Sequence, residues 1–317
     1  MIMLTEVESG KVVGVAGVKP FVVVGVSAFN EEKTIARVVL EALKYAGRVV
    51  VCDDASTDLT GDIAERLGAD VVRHERNLGY GAAVQSLFRR ARELNADVLV
   101  TLDADGQHIP SEIPNVVGPI VDGVADVVVG SRFVDERLAY TIPWYRRTGI
   151  KFITKILNGT SKDGVKDAQS GFRAYSRRAL ETLVMFEDGM GVSVEILINA
   201  RKHGLRVCEV SSSCSYNSGV ETSTRNPVRQ GVDVVASIVK LVVEDKPLQL
   251  LGVPGMLCLI IGAVFGVWMF QIYASEHHIV TNIALASIAF ILIGFFALST
   301  AITLYAISRL AKKTSSK

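Results

Sequence analysis

The chain has 317 residues, with 34 Lys and Arg against 33 Asp and Glu, a net charge of +1, 49% hydrophobic residues and a mean hydropathy of +0.34. That balance gives no global field for a polyanion and excludes a charge-driven nucleic-acid binder, while the apolar content excludes whole-chain disorder. The length allows one large domain or two modest ones, and the positive hydropathy requires an apolar excess somewhere along the chain.

Residues 1–19 read as a tail. Glu6, Glu8 and Lys11 interrupt it, and Val12–Val18 is short for a secretory leader. Phe21–Val26 is a continuous β-branched run, which predicts a buried strand. Glu31–Tyr45 is helical in pattern, with Ile35, Val38, Val39 and Ala42 on one face. Strand and helix patterns then alternate: strand Arg48–Cys52, helix Asp58–Leu67, strand Val71–His74, helix Ala82–Leu94, and strands Asp97–Leu102 and Asp126–Gly130. Such alternation predicts an α/β domain over about residues 20–225, a doubly wound, mostly parallel sheet with right-handed crossovers. The four cysteines, Cys52, Cys208, Cys214 and Cys258, form no C-x-x-C pair and read as reduced, small apolar side chains.

The apolar excess lies at the C-terminal end. Neither Lys246–Glu276 nor Glu276–Arg309 holds a charged residue between its ends, and each is longer than the ~20 residues a membrane-spanning helix needs. The short connection Ala274–His278 predicts an antiparallel hairpin over 248–310. Lys246 precedes it, Arg309, Lys312, Lys313 and Lys317 follow, and the connection has no Lys or Arg. The positive-inside rule then places the large N-terminal portion and both termini in the cytoplasm of a cell-membrane protein with two spans. Residues 226–247 include the amphipathic stretch Val228–Val243, which can lie in the membrane interface or pack as an ordinary surface helix, and 311–317 form a basic tail.

In an open α/β sheet, ligands bind beyond the carboxyl ends of the strands. The predicted strand ends carry Ser27-Ala28-Phe29-Asn30-Glu31, Asp53-Asp54-Ala55-Ser56-Thr57-Asp58, Asn77-Leu78-Gly79-Tyr80-Gly81-Ala82, Asp103-Ala104-Asp105-Gly106-Gln107 and Gly130-Ser131-Arg132. Asp103 and Asp105 follow an apolar strand at i and i+2, so both carboxylates can enter one cleft as hard ligands for Mg²⁺ or Mn²⁺. Taken alone, the same residues also fit a solvated turn. Asp53 is expected to face the cleft, with Asp54, Ser56 or Asp58 capping the next helix. Gly79 and Gly81 open a helix where backbone can approach a ligand, but they are no dinucleotide fingerprint.

Taken in this order, the motifs over residues 20–247 resemble the family 2 glycosyltransferases of GT-A fold. Among these they look like dolichyl-phosphate mannose or glucose synthases of the archaeal type with a C-terminal membrane hairpin. The resemblance implies that Ser27, Phe29, Glu31, Val51, Asp53, Asp103 and Ala104 bind the nucleotide sugar. It implies that Asp103, Asp105 and Gln107 hold the metal and diphosphate, and that Asp105, Arg132 and Arg225 are catalytic. Arg146, Gln169, Ser170 and Gly171 would line the acceptor side. Ser27 and Phe29 stand where the family has Pro and Tyr. In the loop Tyr216–Pro227 only Arg225 matches the family's basic pair, which weakens an assignment to GDP-mannose.

The implied reaction is metal-assisted, inverting transfer from a UDP- or GDP-linked sugar to a polyprenyl (dolichyl) phosphate at the membrane lipid surface, a product that feeds protein or lipid glycosylation. A phosphate acceptor needs no strong general base, whereas a sugar hydroxyl needs one. Glu187, Asp188 and Glu195 are candidates for that base, Glu195 alternatively being a helix residue bonded near Arg201 or Lys202. A non-catalytic, membrane-anchored nucleotide-binding module is the rival of a different class, and the intact Asp103, Asp105 and Gln107 argue against it.

Overall fold

The structure, a computed structural model, describes residues 19–135, 147, 150–151, 154, 164–214 and 248–314. The chain divides into two units, Met1–Ser237 and Ile238–Lys317.

The first unit is built on a seven-stranded sheet of order β3-β2-β1-β4-β6-β5-β7. Its strands are β1 (Val22–Ala28), β2 (Arg48–Asp53), β3 (Asp70–Arg73), β4 (Val98–Asp103), β5 (Val127–Ser131), β6 (Arg173–Ser176) and β7 (Val207–Ser211). β1 pairs in parallel with both β2 and β4, so the strand order reverses around it and opens a crevice at its carboxyl end. Covered on both faces, β1, β2 and β4 read as the continuous apolar runs expected of buried parallel strands. The helices are α1 (Ile35–Ala42), α2 (Thr60–Arg66), α3 (Tyr80–Glu93), α4 (Ile113–Val121), α5 (Arg177–Thr182) and α6 (Val192–Lys202).

One face of the sheet packs Val24, Val26, Val49 and Val51 against Ile35, Val38, Val39 and Val116. The other packs Val23, Val50 and Leu99 against Leu87, Phe88, Leu180 and Ile196. Each fully buried side chain of this kind contributes about 1.5–3 kcal/mol, so the two clusters fix the sheet and with it the rim.

The fold class is as expected: the sheet is mostly parallel, with β6 the one reversed strand, antiparallel to both β4 and β5. Two details differ. The strand β6 and the half-buried edge strand β7 carry no apolar run that marks them. The expected helix Glu31–Tyr45 is shorter, because residues 31–34 turn back toward the loop after β2 instead of joining the helix.

In the second unit a π-helical turn, Leu248–Gly252, leads into α7 (Val253–Glu276), and α8 spans Thr281–Thr314. Windows Val253–Glu276 and Thr281–Ile307 are long and apolar enough to cross a membrane. His277, at φ 53°, ends α7 in the left-handed conformation common at helix C-termini. The two helices pack antiparallel through small residues. Gly255 lies against Gly294 and Ala297, Gly262 lies against Ile291, and Ser287 Oγ donates to the Gly262 carbonyl at 2.8 Å. Trp268, Phe270, Phe295 and Phe296 face outward.

Candidate active site

The rim is assembled by loops that tie one another down. Asn30, at φ 56°, donates its backbone N–H to Ser56 Oγ at 2.9 Å and accepts from Thr57 N–H through Oδ1 at 2.8 Å. Glu31 N–H donates to Thr60 Oγ1 at 2.7 Å. The turn after β1 is thus held to the turn after β2, and Phe29 between them is 39% exposed, open to a planar ligand.

Asp53 is buried, and its Oδ1 accepts the Ser56 N–H at 2.9 Å. Of the expected caps, Asp58 serves the start of α2: its Oδ1 accepts the N–H of Thr60, the helix's first residue, at 3.0 Å, and its Oδ2 accepts the Glu32 N–H. Asp54 turns inward. It accepts the N–H groups of Leu78 and Gly79, each at 2.8 Å, and lies 2.6 Å from His74 Nδ1. His74 Nε2 reaches Ser86 Oγ at 2.9 Å, so one buried network fixes the loop entering α3. The backbone that approaches Gly79 and Gly81 is the protein's own: Gly81 N–H donates to the Asp188 carbonyl at 2.7 Å, and a Cβ on either glycine would run into residues 187–188.

Asp103 ends β4 opposite Ser27. Ser27 Oγ donates to its Oδ1 at 3.3 Å, His108 Nε2 lies 3.3 Å from its Oδ2, and the Tyr80 hydroxyl bonds the same carboxylate. Burial pushes the Asp103 carboxyl upward, but the bonds and charge from His108, with Ser27 and Arg132, hold it below the ordinary carboxylate range. Ala104 is buried, its N–H donating to the Ser27 carbonyl at 3.1 Å. Asp105 is half-buried and accepts the Gln107 N–H at 2.9 Å. Glu31 is pushed up by burial and by the nearby charges of Asp105, Asp58 and Asp103, against a lowering bond from Thr34.

Negative charge is therefore concentrated on hard oxygen donors at one rim, which suits a divalent cation. No three His, Cys, Asp or Glu side chains converge as a ligand set among the described residues.

Arg132 lies just beyond β5, and the buried Asp167 grips its guanidinium through Nε at 2.7 Å. Ser170 Oγ donates to the Gly130 carbonyl at 2.6 Å, and Gly171 abuts Asp103 so closely that a Cβ would lie 2.7 Å from Oδ2. Gln169, half-buried, lies between them and Asp167 in the chain. These residues join the rim; the Val51 side chain does not, being part of the core. Arg146, Arg225 and the stretch Val228–Val243 lie outside the described residues, whereas Arg147 is described and half-buried.

Glu195 is buried and accepts the N–H groups of Phe186 and Glu187, each at 3.0 Å. It thus anchors the 186–188 segment. Tyr80, His108 and Asp167 are site residues to which the sequence reading gave no role. Tyr80 lies within the strand-end segment Asn77–Ala82 and His108 directly follows Gln107, whereas Asp167 lies 35 residues from the Arg it holds.

A family model described as glycosyl transferase family 2 matches residues 23–184. The UDP-N-acetylglucosamine–dolichyl-phosphate N-acetylglucosaminyltransferase of Methanococcus voltae is 34% identical, over 60% of this chain and 84% of its own. The dolichyl-phosphate hexose transferase of Haloferax volcanii is 31% identical, over 69% of this chain and 92% of its own. Among solved structures, glucosyl-3-phosphoglycerate synthase of Mycobacterium tuberculosis with Mn²⁺ and UDP-glucose superposes with a TM-score of 0.54 at 23% identity, over 70% of this chain and 78% of that one. That likeness establishes a GT-A-like fold.

Proposed function

The chain belongs to glycosyl transferase family 2 and is a glycosyltransferase, and we propose that it moves a sugar from a nucleotide-diphosphate donor onto a polyprenyl (dolichyl) phosphate with inversion at the anomeric carbon. The carrying observation is the carboxylate pair Asp103 and Asp105 at the carboxyl edge of β4, in a chain whose relatives are named for dolichyl phosphate.

An acceptor phosphate oxygen attacks the anomeric carbon. The new C–O bond forms as the bond to the donor diphosphate breaks, and the nucleoside diphosphate departs with the electron pair. A phosphate monoester is largely ionised at neutral pH, its second pKa being about 6, so the attack needs no strong base. The buried Glu195 suits that chemistry, since its carboxylate already accepts two backbone N–H groups. Phe29 stacks on the base. Asp103, Asp105 and Gln107 would hold Mg²⁺ or Mn²⁺, and a divalent cation, when bound, neutralises the charge of the leaving diphosphate. The M. tuberculosis synthase, crystallised with Mn²⁺ and UDP-glucose, supports such metal use. Arg132, presented by Asp167, and Arg225 meet the phosphates, for which a planar guanidinium fork is suited. Gln169, Ser170 and Gly171, with Arg146, form the acceptor side.

The catalytic domain spans about 20–225 and the hairpin about 248–310, with the domain and both termini in the cytoplasm. Membranes containing the protein, given polyprenyl phosphate, Mg²⁺ or Mn²⁺ and a panel of labelled UDP- and GDP-sugars, test the proposal. A lipid-soluble, mild-acid-labile product from one donor is expected. No lipid product from any donor, with nucleotide bound by the folded protein, overturns it.

A further inference from the structure

Arg173 opens β6 and is the largest fully buried side chain among the described residues, at 1% exposure. A guanidinium cannot shed its proton, so burying one is costly, and buried charges are ordinarily paired with an opposite charge. Here the guanidinium donates to three backbone carbonyl oxygens. Nε donates to Ser170 at 2.8 Å, Nη2 to Ala168 at 2.8 Å, and Nη1 to Ser193 in the first turn of α6 at 2.7 Å.

Two of these carbonyls flank Gln169. The third ties the same segment to a different helix. From the opposite side, Thr101 Oγ1 donates to the Gly171 carbonyl at 2.7 Å. Gly171 is the residue pressed against Asp103 and the Tyr80 hydroxyl, and Asp167, which grips Arg132, directly precedes Ala168. Arg173, Thr101, Gly171 and Tyr80 also line one cavity of about 10 Å³. An apolar side chain could occupy the place of Arg173 without burying a charge; a three-way fork is needed only if those carbonyls must be held in place.

We infer that Arg173 is a positioning residue that clamps residues 168–171 and so sets the acceptor side of the site against Asp103. It touches no substrate and acts through the carbonyls it holds. This rests on the acceptor-side assignment in the proposed function.

The test compares the full-length wild type with Arg173→Lys, which keeps the charge but loses the fork, and with Thr101→Val, which releases the Gly171 carbonyl and leaves Arg173 intact. Three quantities are measured: binding of UDP or GDP with Mn²⁺ by calorimetry, KM for polyprenyl phosphate, and amide exchange over 167–172. Nucleotide binding should stay within about twofold of wild type in both variants, while the acceptor KM rises about tenfold or more. Exchange over 167–172 should quicken about tenfold, with β1 and β2 unaffected. Unchanged acceptor KM and unchanged exchange in both variants would overturn the clamp. So would a parallel loss of nucleotide binding, which marks general damage. If Arg173→Lys does not fold, Arg173→Gln, which keeps amide donors without the charge or the fork, takes its place in all three measurements. If the wild type itself transfers to no polyprenyl phosphate, the functional reading fails, and exchange with nucleotide binding still decides the clamp.

Discussion

Arg132 and Asp167 form a two-point ion pair, Nε to Oδ2 at 2.7 Å and Nη2 to Oδ1 at 2.8 Å, with the Asp167 side chain wholly buried and that of Arg132 15% exposed. The carboxylate aims the one cation that the G-S-R turn offers the site. Asp167→Asn should lower activity about as much as Arg132→Met, because both remove the same aimed guanidinium. It should also cost stability, since removing one partner of a buried pair typically costs about 3–5 kcal/mol. A double-mutant cycle on kcat/KM checks this: the paired variant should be little worse than either single one, and fully additive losses would separate the two residues.

Asp105 contributes no core packing, being half-buried in the turn after β4. Asp105→Ala should therefore abolish transfer, by at least ~10²-fold, while the domain stays folded. Circular dichroism and thermal unfolding report the second point and product formation the first. Full activity of the wild type in chelator would remove the metal assignment.

The legible parts of this chain are those whose physics is local. β1, β2 and β4 announce themselves because a strand covered on both faces must be apolar throughout. Asp103 and Asp105 stand out at the end of such a strand only in company with the other strand-end motifs, since alone they also fit a solvated turn. β6 is illegible for the converse reason. Its first residue is a buried Arg whose partners are carbonyls of Ala168, Ser170 and Ser193, and no pattern in Arg173–Ser176 predicts them. Asp54 reads as a helix cap by its position, yet it accepts from Leu78 and Gly79, 24 and 25 residues away. The glycines of α3's first turn read as room for a ligand, while the approaching backbone belongs to Asp188.

Asp126 makes acid stability testable. Burial pushes its carboxyl upward, but bonds from Arg206 and the charges of Arg206 and Arg178 prevail and hold it below the ordinary range. The folded pKa thus lies beneath the unfolded one, near 3.9. The stabilisation is fully present above that unfolded value and is lost as pH falls through the folded one. Asp126→Asn should accordingly melt lower than wild type at pH 7, with the gap closing as pH falls below the unfolded carboxylate value of about 3.9. A constant gap across that range would show that Asp126 acts through packing rather than charge.

Gly171 leaves no room for a methyl group. A Cβ there would lie 2.7 Å from Asp103 Oδ2 and 2.8 Å from the Tyr80 hydroxyl. Gly171→Ala must displace one of them. The overpacking should cost about 1–3 kcal/mol, which leaves the fold intact. Activity should fall about tenfold or more, because the displaced group is a proposed metal ligand or its hydrogen-bond partner. Wild-type kcat with a lowered melting temperature would show that Asp103 tolerates the shift.

Glu195 separates the two acceptor classes. If a sugar hydroxyl were the acceptor and Glu195 its base, Glu195→Gln would remove proton transfer and cost about 10²–10⁴ in kcat. In the structure the carboxylate accepts from Phe186 and Glu187 N–H at 3.0 Å each, through different oxygens. Gln keeps one acceptor oxygen and leaves one of the two N–H groups unpaired, a penalty of about 1–3 kcal/mol in stability. With a phosphate acceptor, kcat should then drop by less than about tenfold, and its pH profile should keep the shape of the wild type. A kcat loss of several hundredfold in a variant that still melts cooperatively would reassign Glu195 as a base and the acceptor as a hydroxyl.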